Sequence, residues 1–320
     1  MRIWFEKIDG VNFEAAEEIL RVDTEYRRLC GLTSLTGKLS PQPWSVSDEC
    51  PHKVYLRYRF ASQIETDCRL AYERATRLVF NGQEIPLRPD GWYVDEDIKS
   101  LPLPKTKIGE NILELEIEIG KTYGAEPIYL TGDFNVSLCG VEATLTSPTN
   151  KIAFGSVTCQ GMPFYGGSLS YRYDIDLSED GGLTVSANYF RSPLIHVILD
   201  GKKMGSIILP PYSLTIHGLS AGKHRLELVA VGNRHNSFGS LHWGIDDPYY
   251  GPAHWHKYGD AYSREYRLRD FGIMKCPIIT LSKKISPHKA VADHSATAYI
   301  FIPYTSCRFR NLSFYSPLRR

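Results

Sequence analysis

GMPFYGGSLSYRYDIDLSEDGGLTVSANYFRSPLIHVILDGKKMGSIILPPYSLTIHGLSAGKHRLELVAV, residues 161–231, decides the fold, and it is almost entirely strand and turn. From Leu169 the side chains alternate. Leu169, Tyr171, Tyr173, Ile175 and Leu177 fall on one side, with Ser170, Arg172, Asp174 and Asp176 on the other. Alternation with a period of two marks a half-buried strand. Leu183, Val185, Ala187 and Tyr189 repeat it, which puts Tyr189 in the inward series. Residues 194–199 are nearly all apolar and end at Asp200-Gly201, a two-residue hairpin signal. A Ser220-Ala221-Gly222 turn then leads into another apolar strand over 226–231. The block reads as an antiparallel sandwich with long connections.

A weaker copy precedes it. Residues 77–82 read RLVFNG, and IPLRPDGWYVDEDIKSLPLPKTKIGENILELEI follows over 85–117. In both copies a strand ends in Asn-Gly or Asp-Gly, and a proline-containing stretch follows. A turn at Gly109 or Gly222 then launches a strand, with Leu113, Leu115 and Ile117 in one copy and Leu226, Leu228 and Ala230 in the other. The expectation is two sandwiches of one kind in tandem, an all-β chain.

Composition bounds the function. The 320 residues suit two or three domains, and 42% hydrophobic content supports real cores. Lys plus Arg number 37 and Asp plus Glu 36, so no strong field favours nucleic acid or an anionic membrane. Seven scattered cysteines include no CxxC pair, which points to free thiols in a reducing compartment. MRIWFEKIDG at the start has no long apolar core, and no stretch approaches a membrane span. The expectation is a cytoplasmic chain, with the compartment of any longer parent left open.

Residues 12–28 form the helix candidate, with Phe13, Ala16, Ile19 and Leu20 as a stripe and Glu14, Glu17 and Glu18 in its first turns. The expected layout is an N-terminal connector, short and helical, over 1–50, a first sandwich over 51–158, a second over 159–282, and an unassigned tail over 283–320. Residues 145–150 read as polar turn, and 233–256 as a long ordered loop rich in glycine, proline and aromatics.

Gly161-Met162-Pro163-Phe164-Tyr165-Gly166-Gly167, with the Tyr171 and Tyr173 strand, resembles the carboxy-terminal sandwich region of large bacterial glycoside hydrolases of the α-L-rhamnosidase type. Tyr129-Leu130-Thr131-Gly132-Asp133-Phe134 resembles the end of the preceding sandwich. Pro210-Pro211-Tyr212, Gly232-Asn233-Arg234-His235-Asn236 and Gly239 with His242 resemble further stations, and Gln42-Pro43-Trp44 the link before them. The likeness covers about residues 15–282. It implies galactose-binding-like, jelly-roll sandwiches. The catalytic barrel of such enzymes has no counterpart here, nor does the 283–320 tail, so the resemblance implies a non-catalytic accessory portion whose partners are a glycan or small sugar and a catalytic domain encoded upstream or separately. Such sandwiches often only buttress a catalytic domain.

Sugars are held by aromatic rings and a few directed polar groups in a concave site. Two clusters offer this. Trp92, Tyr93 and Asp95, with Tyr123, form the first. Tyr189, Arg191, Tyr212, Asn233, Arg234, His235, Asn236, His242 and Trp243 form the second. The plainer reading makes Tyr189 core and Asn233 a turn former. A free-standing carbohydrate-binding protein and a small hydrolase are the alternatives. Hydrolysis needs two facing carboxyls, yet Asp95 with Asp97 lies in a loop, Asp246 and Asp247 are adjacent, and Glu114, Glu116 and Glu118 share the solvated face of a strand. His235, His242, His254 and His256 match no zinc spacing, so no metal or other cofactor is assigned. A structural calcium held by loop carbonyls and an Asp leaves no sequence mark. Basic residues form no stripe for nucleic acid.

Overall fold

A computed structural model describes residues 2–8, 11–12, 16–17, 19–32, 52–121, 123–149, 151–245, 261–283 and 298–300. The chain forms two compact units: Met1–Pro148 with Gly239–Arg267, and Thr149–Phe238 with Leu268–Arg320.

The first unit opens with β1 (Arg2–Ile8), β2 (Val11–Asn12), β3 (Ala16–Glu17) and α1 (Ile19–Leu29). The helix thus starts later than the acidic stripe predicts, because β1 takes β2 and β3 as antiparallel partners. Then follow β4 (His52–Ser62), β5 (Cys68–Tyr72), β6 (Arg77–Phe80), β7 (Gln83–Glu84), β8 (Gly91–Tyr93), β9 (Asp95–Leu103), β10 (Gly109–Ile119), β11 (Tyr129–Gly132), β12 (Asn135–Cys139) and β13 (Glu142–Thr146). One sheet runs β12-β13-β4-β10-β6-β7 with β1 also on β4, and the other runs β11-β5-β9-β8. The stretch from 145, read as a turn, begins inside β13, which pairs in parallel with β4. Val54, Leu56, Tyr58, Leu113, Leu115 and Ile117 form the core beneath β4 and β10. Each of the aliphatic side chains contributes about 1.5–3 kcal/mol when fully buried. The alternate residues turn outward into ion pairs: Arg57 with Glu114 and Lys53 with Glu116.

The second unit holds β14 (Leu169–Leu177), β15 (Gly181–Ser186), β16 (Phe190–Arg191), β17 (Ile195–Leu199), β18 (Lys202–Ile207), β19 (Ser213–Leu219), β20 (Gly222–Ala230), α2 (His235–Phe238), β21 (Gly272–Ile273), β22 (Ile278–Lys283) and β23 (Ala298–Ile300). Its main sheets run β14-β20-β17-β18 and β19-β15-β22-β23. The inward series of β14 is buried from Leu169 to Leu177, as its alternation demands. Tyr189 departs from expectation. The inward series stops at Ala187 because β15 ends at Ser186, and Tyr189 is 48% exposed.

The two units follow one path. The order β4-β10-β6-β7 matches β14-β20-β17-β18, and β11-β5-β9 matches β22-β15-β19. Register carries the match to single residues. Leu113 sits opposite Tyr58 and Leu226 opposite Tyr173. The neighbouring pairs are Arg57 with Glu114 and Arg172 with Glu227, each bonded through Nε and Nη2. Both hairpins turn through two left-handed residues: Asn81 (φ 49°) and Gly82 (82°), then Asp200 (51°) and Gly201 (83°). This is the backbone that twists a hairpin the way its strands twist. The described residues hold far more strand than helix, in open sheets with a sandwich-like arrangement. Among the described residues no helix is long and apolar enough to cross a membrane.

Candidate functional site

In the first unit the β11-β5-β9-β8 sheet gathers polar and aromatic groups at one end. Glu73 follows the last residue of β5, Tyr129 opens β11, and the β8–β9 hairpin contributes Tyr93 and Asp95. Antiparallel pairing of β5 with β9 and β11 makes these the same end of the sheet. The Tyr93 and Tyr129 ring centroids lie 5.4 Å apart. Val94, between Tyr93 and Asp95, has φ 71°, and Asp95 Oδ1 accepts the Asp97 N–H at 3.0 Å. Trp92, on the same hairpin, is 51% exposed. The Arg74 guanidinium caps the Tyr123 ring at 3.6 Å.

Two glutamates that the sequence left unremarked join this end. Glu126 is solvent-exposed as a residue, yet loss of water around its carboxyl, then the charges of Glu73 and Asp23, raises it above the ordinary carboxylate range against Arg27. Glu73 is raised chiefly by burial and then by Asp97. Burial likewise raises the Tyr129 hydroxyl, with Tyr93, Glu73 and Glu126 contributing. A carboxyl with another carboxylate near it resists ionising. No local motif marks Glu73 or Glu126 in the sequence. Only the pairing of β5 with β11 brings them near each other.

Beneath them α1 is fastened from within. Arg27 Nε bonds Asp23 Oδ2 at 2.9 Å, and its other nitrogens donate to the Gly120 and Tyr123 carbonyls at 3.1 and 2.7 Å. Asp23 Oδ1 accepts from the Tyr26 hydroxyl and from the Ala125 N–H. His242 and Trp243 also belong to the first unit. His242 is buried, its Nδ1 lies 3.0 Å from the Ser263 carbonyl, and its ring packs on Tyr262 and Tyr266. Arg21 of α1 lies over Tyr262 at 4.2 Å.

The second sequence cluster is therefore divided between the units. Tyr189, Arg191 and Tyr212 lie in the second unit, with the Arg191 guanidinium 5.4 Å from the Tyr189 ring and Tyr212 edge-on to Phe190. Asn233 Oδ1 accepts the His235 N–H, a turn role. Asn236 is buried and bonds the Arg269 backbone twice, through Nδ2 to the carbonyl and Oδ1 from the N–H. Arg234 is exposed, and its carbonyl takes the Ser237 and Phe238 N–H groups of α2. Burial, with Arg269, lowers the His235 imidazole. His254, His256, Asp246 and Asp247, and the link residue Trp44, lie outside the described residues. Among the described residues no group of three or more His, Cys, Asp or Glu is placed to hold a metal.

The second unit also carries a groove of about 780 Å³ beside the Asp200-Gly201 hairpin, lined by Arg172, Asp174, His224, Arg225 and Glu227 among others. Its walls are charged, and no Trp, Tyr or Phe stands in it to receive the apolar face of a sugar.

No protein-family model matches the chain, and no curated protein matches it. Among solved structures it is similar to a rhamnosidase from Novosphingobium sp. PP1Y, at 14% identity and TM-score 0.28, over 73% of this chain and 22% of that one. A β-D-mannosidase from Dictyoglomus thermophilum aligns at 12% identity and TM-score 0.27, over 73% and 31%. A Pleurotus ostreatus lectin aligns at 10% identity and TM-score 0.19, over 62% and 72%. The chain spans about a fifth of the rhamnosidase. The likeness to lectin and glycosidase structures is weak, and at these TM-scores it carries no argument about function.

Proposed function

We propose that the chain is a non-catalytic, carbohydrate-associated accessory region of a rhamnosidase-type glycoside hydrolase, built of two tandem jelly-roll sandwiches of galactose-binding-like form. The matching strand orders of the two units support the tandem reading. The sequence resemblance over about 15–282 supports the parentage. On this reading the sandwiches run over 51–158 and 159–282.

One observation carries the carbohydrate reading. Trp92, half exposed, shares a sheet end with the Tyr93–Tyr129 ring pair and with Glu73, Asp95 and Glu126. Rings offer the stacking surface and carboxylates accept hydroxyl protons, the combination that sugar sites use. Tyr189, Arg191 and Tyr212 form a second, smaller contact candidate in the other unit. Calorimetry of the chain against a panel of glycans and free sugars, rhamnose and galactose included, with and without calcium, tests it. A saturable signal lost in Trp92→Ala supports a glycan contact in the first unit. A signal unchanged by Trp92→Ala moves the site elsewhere. Silence across the panel leaves a structural buttress.

Glu126 beside Glu73 favours one alternative, a small hydrolase with its own carboxyl pair. A carboxyl raised above its ordinary value is better fit to donate a proton. Release of sugar from aryl glycosides by the intact chain, abolished in Glu126→Gln, would establish that reading.

A further inference from the structure

The hairpin ends of the two units share one hydrogen-bond frame with different chemistry in it. In the first unit, Asn81 at the hairpin accepts the Ile112 N–H on its side-chain oxygen at 2.9 Å and donates from Nδ2 to Asn111 Oδ1 at 2.9 Å. Asn111 in turn donates to the Lys107 carbonyl, four residues back, at 2.8 Å. In the second unit, Asp200 at the matching hairpin accepts the Arg225 N–H on Oδ1 at 2.7 Å. Its Oδ2 lies 2.7 Å from His224 Nδ1, and His224 Nε2 lies 2.9 Å from the Ser220 carbonyl, again four residues back. Asn81 and Asp200 also send their own N–H groups to Ile112 and Arg225 alike. These bonds match one for one, and Asn111 adds two of its own, from the Lys107 N–H and to the Gly109 carbonyl.

The chemistry of the donors separates them. An amide pair supplies a donor and an acceptor at every pH of interest. At His224 both partners, a carboxylate and a carbonyl, are acceptors. Only an imidazole with hydrogens on both nitrogens satisfies the two at once, and that imidazole is a cation. We infer that the Asp200-Gly201 end of the second unit is fastened by a proton on His224, so that its closure depends on pH while the matching end of the first unit does not.

The surrounding charges are mixed. Lys223 and Arg225 flank the ring on β20, and Asp174 and Asp176 flank Ile175, the residue of β14 opposite His224. Lys202 and Lys203 follow Asp200 on β18, and Asp180 holds the Ala221 N–H of the turn before β20. Glu179 beside it is engaged by Lys283. Against this background the hydrogen bond to Asp200, then that to Ser220, raises the imidazole above its ordinary 6.5. The Arg225 N–H, then His224, holds Asp200 below its ordinary 3.8. The fastening is strongest between these two ordinary values. The histidine contribution fades as pH rises through the raised imidazole value, and the aspartate contribution fades as pH falls through the lowered carboxyl value. Loss of the histidine proton also removes a positive charge from the wall of the neighbouring groove.

Titration of the His224 ring by NMR in the full chain tests this directly. The expected result is a midpoint above 6.5, with both ring nitrogens protonated below it, and a midpoint that falls in Asp200→Asn. Hydrogen exchange of the Arg225 amide, referred to that of Ile112 to cancel intrinsic pH effects, should lose protection through the same titration, about tenfold for each unit of upward shift. The double variant Asp200→Asn with His224→Asn imports the pair of the first unit and should flatten that dependence. A wild-type midpoint at or below 6.5, or Arg225 protection that tracks Ile112 at every pH, overturns the inference. The wild-type titration decides even where a variant fails to fold.

Discussion

The Arg27 guanidinium, only 1% exposed, lies 2.9 Å from the Asp23 carboxylate one turn earlier on α1. With its bonds to Gly120 and Tyr123, the pair ties the helix to the loop that carries Glu126. Removing one partner leaves a buried charge alone. Arg27→Met should cost about 3–5 kcal/mol in chemical unfolding, and a cost below about 1 kcal/mol would show that water reaches Asp23 freely.

Tyr58 presents the opposite case. Its ring is buried under β4, and its hydroxyl finds no hydrogen-bond partner among the described residues. Tyr58→Phe deletes a polar atom that burial penalises. The variant should be as stable as the parent or up to about 1 kcal/mol more stable. A loss of stability on denaturant titration would reveal a partner for that hydroxyl.

The strands and hairpins were legible because their signals are local. Leu169 to Leu177 alternates without a break, and Asn81-Gly82 and Asp200-Gly201 carry the residues that left-handed turns need. The hairpin phrase shared by the two units was visible for the same reason. What escaped was set by distant partners. RIWFEKI looks like an ordinary polar start, yet it becomes β1 because β4 offers it an edge. Glu142–Thr146 is short and half polar, and it is a strand only through its neighbours β12 and β4. In the candidate site, Trp92, Tyr93 and Asp95 could be picked from one hairpin. Glu73 and Glu126 lie 53 positions apart in sequence, too far for spacing to join them. His242 and Tyr189 were grouped from one list of loop residues, and such a list does not say which unit each loop serves: His242 belongs to the first and Tyr189 to the second.

Gly181 marks a place where backbone meets backbone. A methyl group there would sit 2.0 Å from the Ser282 carbonyl oxygen on β22. Gly181→Ala should separate β15 from β22 at that point and destabilise by about 1–3 kcal/mol, seen as a lowered urea midpoint.

Asn236 distinguishes scaffold from ligand contact. Asn236→Ala leaves the Arg269 N–H and carbonyl without their partner, at about 1–3 kcal/mol for a buried polar group left unsatisfied. Stability should fall while any glycan affinity measured at low temperature stays unchanged. Affinity lost without a change in stability would instead make Asn236 a ligand contact.

Glu126 gives a pH signature. Its carboxyl is raised above the ordinary 4.5, so the native state holds more protons just above that value. Stability therefore falls as pH rises from 4.5 through the raised carboxyl value and levels off above. Because the residue is exposed, screening limits the effect to about 1 kcal/mol or less. Glu126→Gln should flatten this slope and stabilise the chain at alkaline pH. A parallel slope in the variant would assign the pH dependence to other groups.

Strand β1 covers the stretch of β4 from Val54 to Arg59, and β13 takes over at Ala61 and Ser62. Between them they guard an edge that would otherwise present a row of free amide and carbonyl groups. Such a row is a template on which sheets from different molecules join. Shortening the chain before Val11 would bare it, and the penalty would appear as polymerisation and insoluble material, even with the core beneath intact.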